Sequence, residues 1–339
     1  MTLGLLLGGT ACKRTPSARC SLGEAECVAA SAAARFDGVA LAGRGEQALA
    51  AWSEPDGTFV RWIAKAKRPP LRVAERCAGG VALALVRDAA FLACLAPETG
   101  AYVVRLQGPG LEAAQPQPLS GPVGRDARGI ALALQANGAQ AESASALFVA
   151  WEDGEAGDPK VRLATLRGPA SAGATPQLRT LSRPHANGHE PQLLWRDGEL
   201  WAAWTESDLT PGRARHHVLL QRGSQPPVQL ADTAGESPRP ALGADSQGVV
   251  LAYRAARRAG QRGELWLGRV EESGRRWLSP ARSIGRANGA QGPSLALCGA
   301  TRAAAVPIDH AGELYVALHP LSAALETTEE NHQYYESGR

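Results

Sequence analysis

ALFVAWED (residues 146–153) and ELWAAWTESD (residues 199–208) share one plan: an apolar run in which small and large side chains alternate, closed by a tryptophan and then by acids. The plan recurs as QALAAWSEPDG (47–57), AAFLACLAPETG (89–100), GVVLAYRAA (248–256) and RAAAVPIDHAG (302–312). Superposed, these runs put Trp52, Cys94, Trp151, Trp204, Tyr253 and Val306 at one equivalent position, with gaps of 42, 57, 53, 49 and 53 residues. A period near 50 residues is the mark of a repeat architecture.

Each anchor run has companions. Small apolar runs precede it (GVALAG, GVALAL, GIALAL, EPQLLW, RPALGA and GPSLAL). More strictly alternating runs follow it: TFVRWIAKA, AYVVRLQG, KVRLATLRG, RHHVLLQRG, ELWLGRVEE and ELYVALHPL. Fourth segments such as TPQLRTLSR, PPVQLAD and WLSPARSIG close most units, with Pro/Gly-rich connectors between them. Short strands without any helical period, four to a unit and six units long, predict an all-β chain: a six-bladed β-propeller of four-stranded antiparallel blades over residues 36–325. Small residues suit a first strand crowded at an axis, and continuous apolar runs suit a second strand covered on both faces. Evenly spaced strands would also fit a pair of β-sandwiches, but the equivalent aromatic anchors favour the ring.

The chain opens MTLGLLLGGTACKRTPS, an apolar stretch too short to span a bilayer but long enough for a secretory signal. The small residues before Cys12 resemble the lipobox of bacterial lipoproteins. That resemblance implies a signal peptide over 1–11 and lipidation at Cys12, and Lys13 rather than Asp beside it implies outer-membrane delivery. Residues 12–35 read as a lipidated N-terminus and tether, and residues 326–339 as a polar tail; either end could supply the strand that closes the ring. Exported cysteines are free to oxidise. Cys20 and Cys27, close together in the lead, are expected to pair, whereas Cys77 stays unassigned and Cys94 and Cys298 read as small buried thiols.

Charge narrows the partners. The 339 residues carry 36 basic against 33 acidic side chains, a net of +3, spread without a basic face or polybasic run. Nucleic acid is therefore excluded as an expected partner, and the membrane would be reached only through the anchor. No Cys/His cluster has metal-ligand spacing, so neither a metal nor a cofactor is expected.

In a propeller, loops after second strands and loops entering first strands share one face. On that face the reading gathers Glu54, Glu152, Asp153, Glu206 and Asp309, joined by His185, His189 and Glu190 from the connector PHANGHEP. The result is an acidic mouth with imidazoles, able to hold a cation, a sugar or a basic loop. His216 and His217 adjoin on a strand and so point to opposite faces.

The AWSE, AWED and AWTE endings resemble those of sialidase-like repeat propellers found in exported bacterial lipoproteins. Asp-box motifs of the form SxDxGxxW are missing, which weighs against glycosidase activity. With no catalytic motif present, the expected role is an envelope-anchored scaffold that binds a protein or a polysaccharide, alone or as a subunit of a larger assembly. The alternative is a glycan-active hydrolase or lyase that uses paired carboxylates at the mouth.

Overall fold

The computed structural model describes residues 25–320 except 31–37, 45–46, 64–68, 87–88, 109, 125–126, 137–143, 155–156, 169–174, 209–214, 235–236, 246–247, 256–263, 287–293, 299–300 and 311–312. The described residues form six antiparallel sheets in chain order and no helix. The first sheet comprises Gly38–Arg44, Gln47–Glu54, Gly57–Ile63 and Leu71–Ala74. In the second, Gly80–Leu85, Ala89–Ala96 and Gly100–Gln107 are edged by the two-residue strands Glu112–Ala113 and Gln117–Pro118. Ile130–Ala136, Ala144–Asp153, Lys160–Arg167 and Gln177–Thr180 build the third, and Asn187–Arg196, Glu199–Asp208, Arg215–Arg222 and Val228–Ala234 the fourth. Ala241–Asp245, Gly248–Ala255, Glu264–Val270 and Trp277–Arg286 form the fifth. The sixth orders Ser294–Cys298, Thr301–His310 and Glu313–Pro320, and then takes its outermost strand from Ala25–Ala30.

All six anchors fall on second strands, as the repeat predicts. Trp52 pairs with Val39 and Phe59, Trp151 with Ile130 and Arg162, and Tyr253 with Trp266. These strands are covered on both faces: Leu49, Ala50, Ala51 and Trp52 are all buried, and so are Trp201, Ala202, Ala203 and Trp204. Each buried tryptophan removes a large apolar area from water, and the alanines between them let the neighbouring sheet interdigitate. One cluster accordingly joins Phe91, Ala93 and Leu95 of the second sheet to Leu147, Val149 and Trp151 of the third.

First strands crowd together. Each touches the first strand of the next sheet, and that of the sixth touches that of the first. A side chain at Gly38 would come within 2.8 Å of the Gly80 Cα, so only glycine permits that approach. The Gly129 amide donates to the Gly79 carbonyl at 2.8 Å, a direct backbone link between the connectors entering the third and second sheets.

Two expectations change. Ala25–Ala30, expected within the tether over 12–35, is instead a strand that pairs antiparallel with Glu313–Pro320, with Cys27 opposite Tyr315 in the register. An apolar edge with unpaired backbone groups needs such a strand, and the N-terminal side supplies it. The buried thiol expected at Cys94 is instead half of a disulfide with Cys77, their Cα atoms 5.3 Å apart. Cys77 ends the connector into the second sheet, where its amide donates to Ser53 Oγ of the first sheet at 2.9 Å. Cys12, Cys20, the 1–11 signal and the 326–339 tail lie outside the described residues.

Candidate functional site

Most of the acids expected in turns are strand residues. Glu54, Glu152, Asp153, Glu206 and Asp309 each lie within the last residues of a second strand, and for the first four the two-residue alternation of a strand decides the side-chain direction. Glu54 and Glu206 stand two residues beyond a tryptophan and face the same way as its ring. Trp52 Nε1 donates to Glu54 Oε1 at 3.4 Å, and Trp204 Nε1 to Glu206 Oε1 at 3.1 Å. Glu152 stands one residue beyond Trp151 and therefore faces the other way. The three glutamates are thus not equivalent, and the buried Trp151 Nε1 has no acceptor among the described residues. Asp153, which does stand two beyond Trp151, lies 3.5 Å from Arg162 Nε instead.

Glu206 is 1% exposed and fully engaged. Besides Trp204, it accepts from the Arg183 backbone amide at 3.0 Å and from Arg183 Nε at 2.6 Å. It therefore clamps the connector from the third sheet to the fourth. His185, on the same connector, is exposed to solvent. Glu54 stays with Trp52 in the first sheet, and Asp309 pairs in register with Leu314 in the sixth.

The structure brings Glu152, His189 and Glu190 together. His189 and Glu190 open the first strand of the fourth sheet, whose ladder is interrupted between His189 and Gln192. His189 Nδ1 is 3.3 Å from Glu152 Oε1, across the gap from the third sheet. Burial pushes the Glu152 carboxyl above its ordinary 4.5. The His189 hydrogen bond and charge pull against that rise, as does the Glu190 backbone amide, while the Glu190 carboxylate adds to it.

Two residues that the sequence reading did not single out complete the cluster. Arg239 Nε lies 3.1 Å from Glu190 Oε1, and Ser237 Oγ donates to Glu190 Oε2. Both come from the connector into the fifth sheet. A signal for Arg239 was present: in GVALAG, GVALAL, GIALAL, EPQLLW and RPALGA the first position is Gly38, Gly80, Gly129, Glu190 and Arg239. Glu190 and Arg239 hold left-handed backbone there, with φ of 51° and 45°, although each precedes a proline. Non-glycine residues seldom adopt that conformation, and such outliers concentrate at functional sites. The arrangement offers a recessed carboxyl, an imidazole and a bridged carboxylate–guanidinium pair, which together can donate to and accept from a polar ligand.

His216 and His217 are held within the fourth sheet. His216 Nδ1 is 2.7 Å from Ser207 Oγ inside the fourth sheet, while His217 Nδ1 points the other way, 2.5 Å from Asp232 Oδ1. Among the described residues no group of three His, Cys, Asp or Glu side chains could hold a metal ion. No described helix is long and apolar enough to cross a membrane.

No family model and no curated protein matches the chain. Solved structures do. The NanB sialidase of Streptococcus pneumoniae aligns with a TM-score of 0.56 at 9% identity, over 87% of this chain and 70% of that one. A Trypanosoma rangeli sialidase aligns at 0.52 and 10% identity, over 84% of this chain and 54% of that one. The Aleuria aurantia lectin, in complex with a fucosyl disaccharide, aligns at 0.50 and 11% identity, over 83% and 95%. At such identities the likeness concerns the fold, which is all-β and of the propeller type.

Proposed function

We propose that the chain is a six-bladed propeller, anchored to the bacterial envelope through Cys12, that serves as a scaffold binding a polysaccharide or a protein. Six sheets in sequence and contacts running from each first strand to the next, and from the last back to the first, support the six-bladed ring. The Cys77–Cys94 disulfide supports an oxidising, extracytoplasmic location. Glycan-binding and glycan-cleaving neighbours make a saccharide a natural ligand class.

One observation carries binding over catalysis: two of the acids at the mouth, Glu206 and Glu190, are committed to partners. Glu206 is held by Arg183 and Trp204, and Glu190 by Arg239 and Ser237. A hydrolytic pair needs two carboxyls free to face one glycosidic bond. The test is to express the full chain from its natural start, recover the membrane fraction, and determine the mass of the N-terminal peptide together with retention on immobilised envelope polysaccharide. Acylated Cys12 with retained polysaccharide or a stoichiometric envelope protein is expected. A soluble protein with a free Cys12 thiol overturns the anchor, and the absence of any stoichiometric ligand overturns the scaffold.

A second reading has one observation in its favour: Glu152 is a buried carboxyl raised above its usual range beside another carboxylate, as a general acid requires. Turnover of a glycoside panel that Glu152→Gln abolishes would establish hydrolysis.

A further inference from the structure

A cleft among the described residues lies away from the mouth. It opens between the third and fourth sheets at the end where the fourth sheet makes its first hairpin, Asp197–Gly198, whereas Glu190 stands at the opposite end of that strand. Its volume is about 540 Å³, within the range of small-ligand sites. A second hollow of about 370 Å³ shares Phe148, Thr165 and Arg167 with it and extends the groove along the third sheet.

Its lining is built from both sheets. Phe148 of the third sheet and Trp195 of the fourth stack with ring centroids 5.2 Å apart and planes within 9°. Both are half-buried, so part of each ring remains in the cleft. Leu178 at the rim is 57% exposed, an unusual position for a large apolar side chain. The polar groups are unequal in commitment. Glu199 accepts from Arg222 Nε, and Arg222 in turn lies over the Trp201 ring at 5.3 Å and donates to the Glu272 carbonyl. Arg167 and Arg179 are exposed, and their guanidinium groups have no hydrogen bond or ion pair among the described residues. The cleft therefore presents an aromatic and aliphatic floor beside two uncommitted cations, with its one carboxylate already neutralised.

We infer that this cleft between the third and fourth sheets binds an acidic sugar unit of a polysaccharide, with the pyranose ring against Phe148 and Trp195 and the carboxylate between Arg167 and Arg179. A pyranose offers an apolar C–H face to aromatic surface, and a carboxylate matches the planar fork of a guanidinium. A neutral sugar would leave both cations without their counter-charge, and a purely apolar ligand would ignore them. The inference rests on the binding-module reading above and adds to it a place and a ligand class.

Calorimetric titration of the full chain with a galacturonate tetrasaccharide and a hyaluronan tetrasaccharide, against neutral cellotetraose, provides the test. At least one acidic oligomer is expected to bind, with cellotetraose weaker by about tenfold or more, the effect of one good charge-assisted contact. Arg167→Gln with Arg179→Gln, both on exposed side chains, should remove that preference while the melting temperature stays unchanged. Trp195→Ala should weaken the acidic and the neutral oligomer alike. Equal binding of acidic and neutral oligomers overturns the charge assignment. Binding that Arg239→Ala abolishes and the cleft variants leave intact overturns the cleft while sparing the binding module. If neither acidic oligomer binds, this inference fails, and the module then stands or falls by the membrane-fraction experiment.

Discussion

Glu190 and Arg239 form an ion pair, 3.1 Å from Oε1 to Nε, between two residues that both hold left-handed backbone where the first three sheets carry glycine. The left-handed conformation costs a residue with a Cβ about 1–2 kcal/mol. Glycine at 190 would remove that cost and lose the pair, whereas alanine would lose the pair and keep the cost. Glu190→Gly is therefore expected to be more stable than Glu190→Ala by about 1 kcal/mol in urea unfolding, with the extra chain entropy of glycine included. Equal stabilities would mean that the backbone relaxes at no cost and that the positive φ marks no strain.

Glu152 makes stability depend on pH in a defined direction. Its carboxyl is raised above 4.5 chiefly by burial, so the folded state holds the proton more tightly than the unfolded chain does. The stability gained is complete below 4.5 and is lost as pH rises through the raised folded value. Glu152→Gln stays neutral throughout. Its stability relative to the parent should therefore climb across that window and then level off, read by unfolding from about pH 4 to about pH 8. A flat difference would show that His189 fully compensates the burial.

Two of the three equivalent tryptophans, Trp151 and Trp204, are satisfied differently. Trp204 Nε1 donates to Glu206 at 3.1 Å, whereas Trp151 Nε1 has no acceptor among the described residues. Replacement by phenylalanine leaves a similar void at each, but only at 204 does it strip a donor from a buried carboxylate. Trp204→Phe should cost more than Trp151→Phe by about 1.5 kcal/mol or more, the worth of a hydrogen bond to a charged group. The comparison is made by thermal or denaturant unfolding, and a reversed order would place the missing acceptor at Trp151.

Cys77 and Cys94 close a loop of sequence separation 17 at the boundary of the first two sheets. Loops near that length constrain the unfolded chain by about 3 kcal/mol. Reduction, or Cys77→Ser with Cys94→Ala, should lower unfolding stability by about that amount. Peptide mapping without reductant should recover residues 77 and 94 in one cross-linked fragment, and recovery of both as free thiols would refute the pairing.

The repeat was readable because its cause is local. A second strand covered on both faces has to be apolar at every position, and that requirement writes the same run into LAAW, FVAW and WAAW whatever lies around them. Strand order, anchor position and the apolar core follow from such runs without knowledge of their neighbours. The acids behaved otherwise. AWSE, AWED and AWTE look alike, yet one residue fewer between Trp151 and Glu152 turns that carboxyl toward His189 of the next sheet and leaves the indole without its partner. The Glu190–Arg239 pair, the stacked Phe148 and Trp195, and the Cys77–Cys94 bridge likewise join residues far apart in the chain or across a sheet boundary. Periodicity specifies which face a side chain takes within its own strand. Which side chain from the adjoining sheet it then meets depends on the packing of one sheet against the next, a relation that no local run of residues encodes.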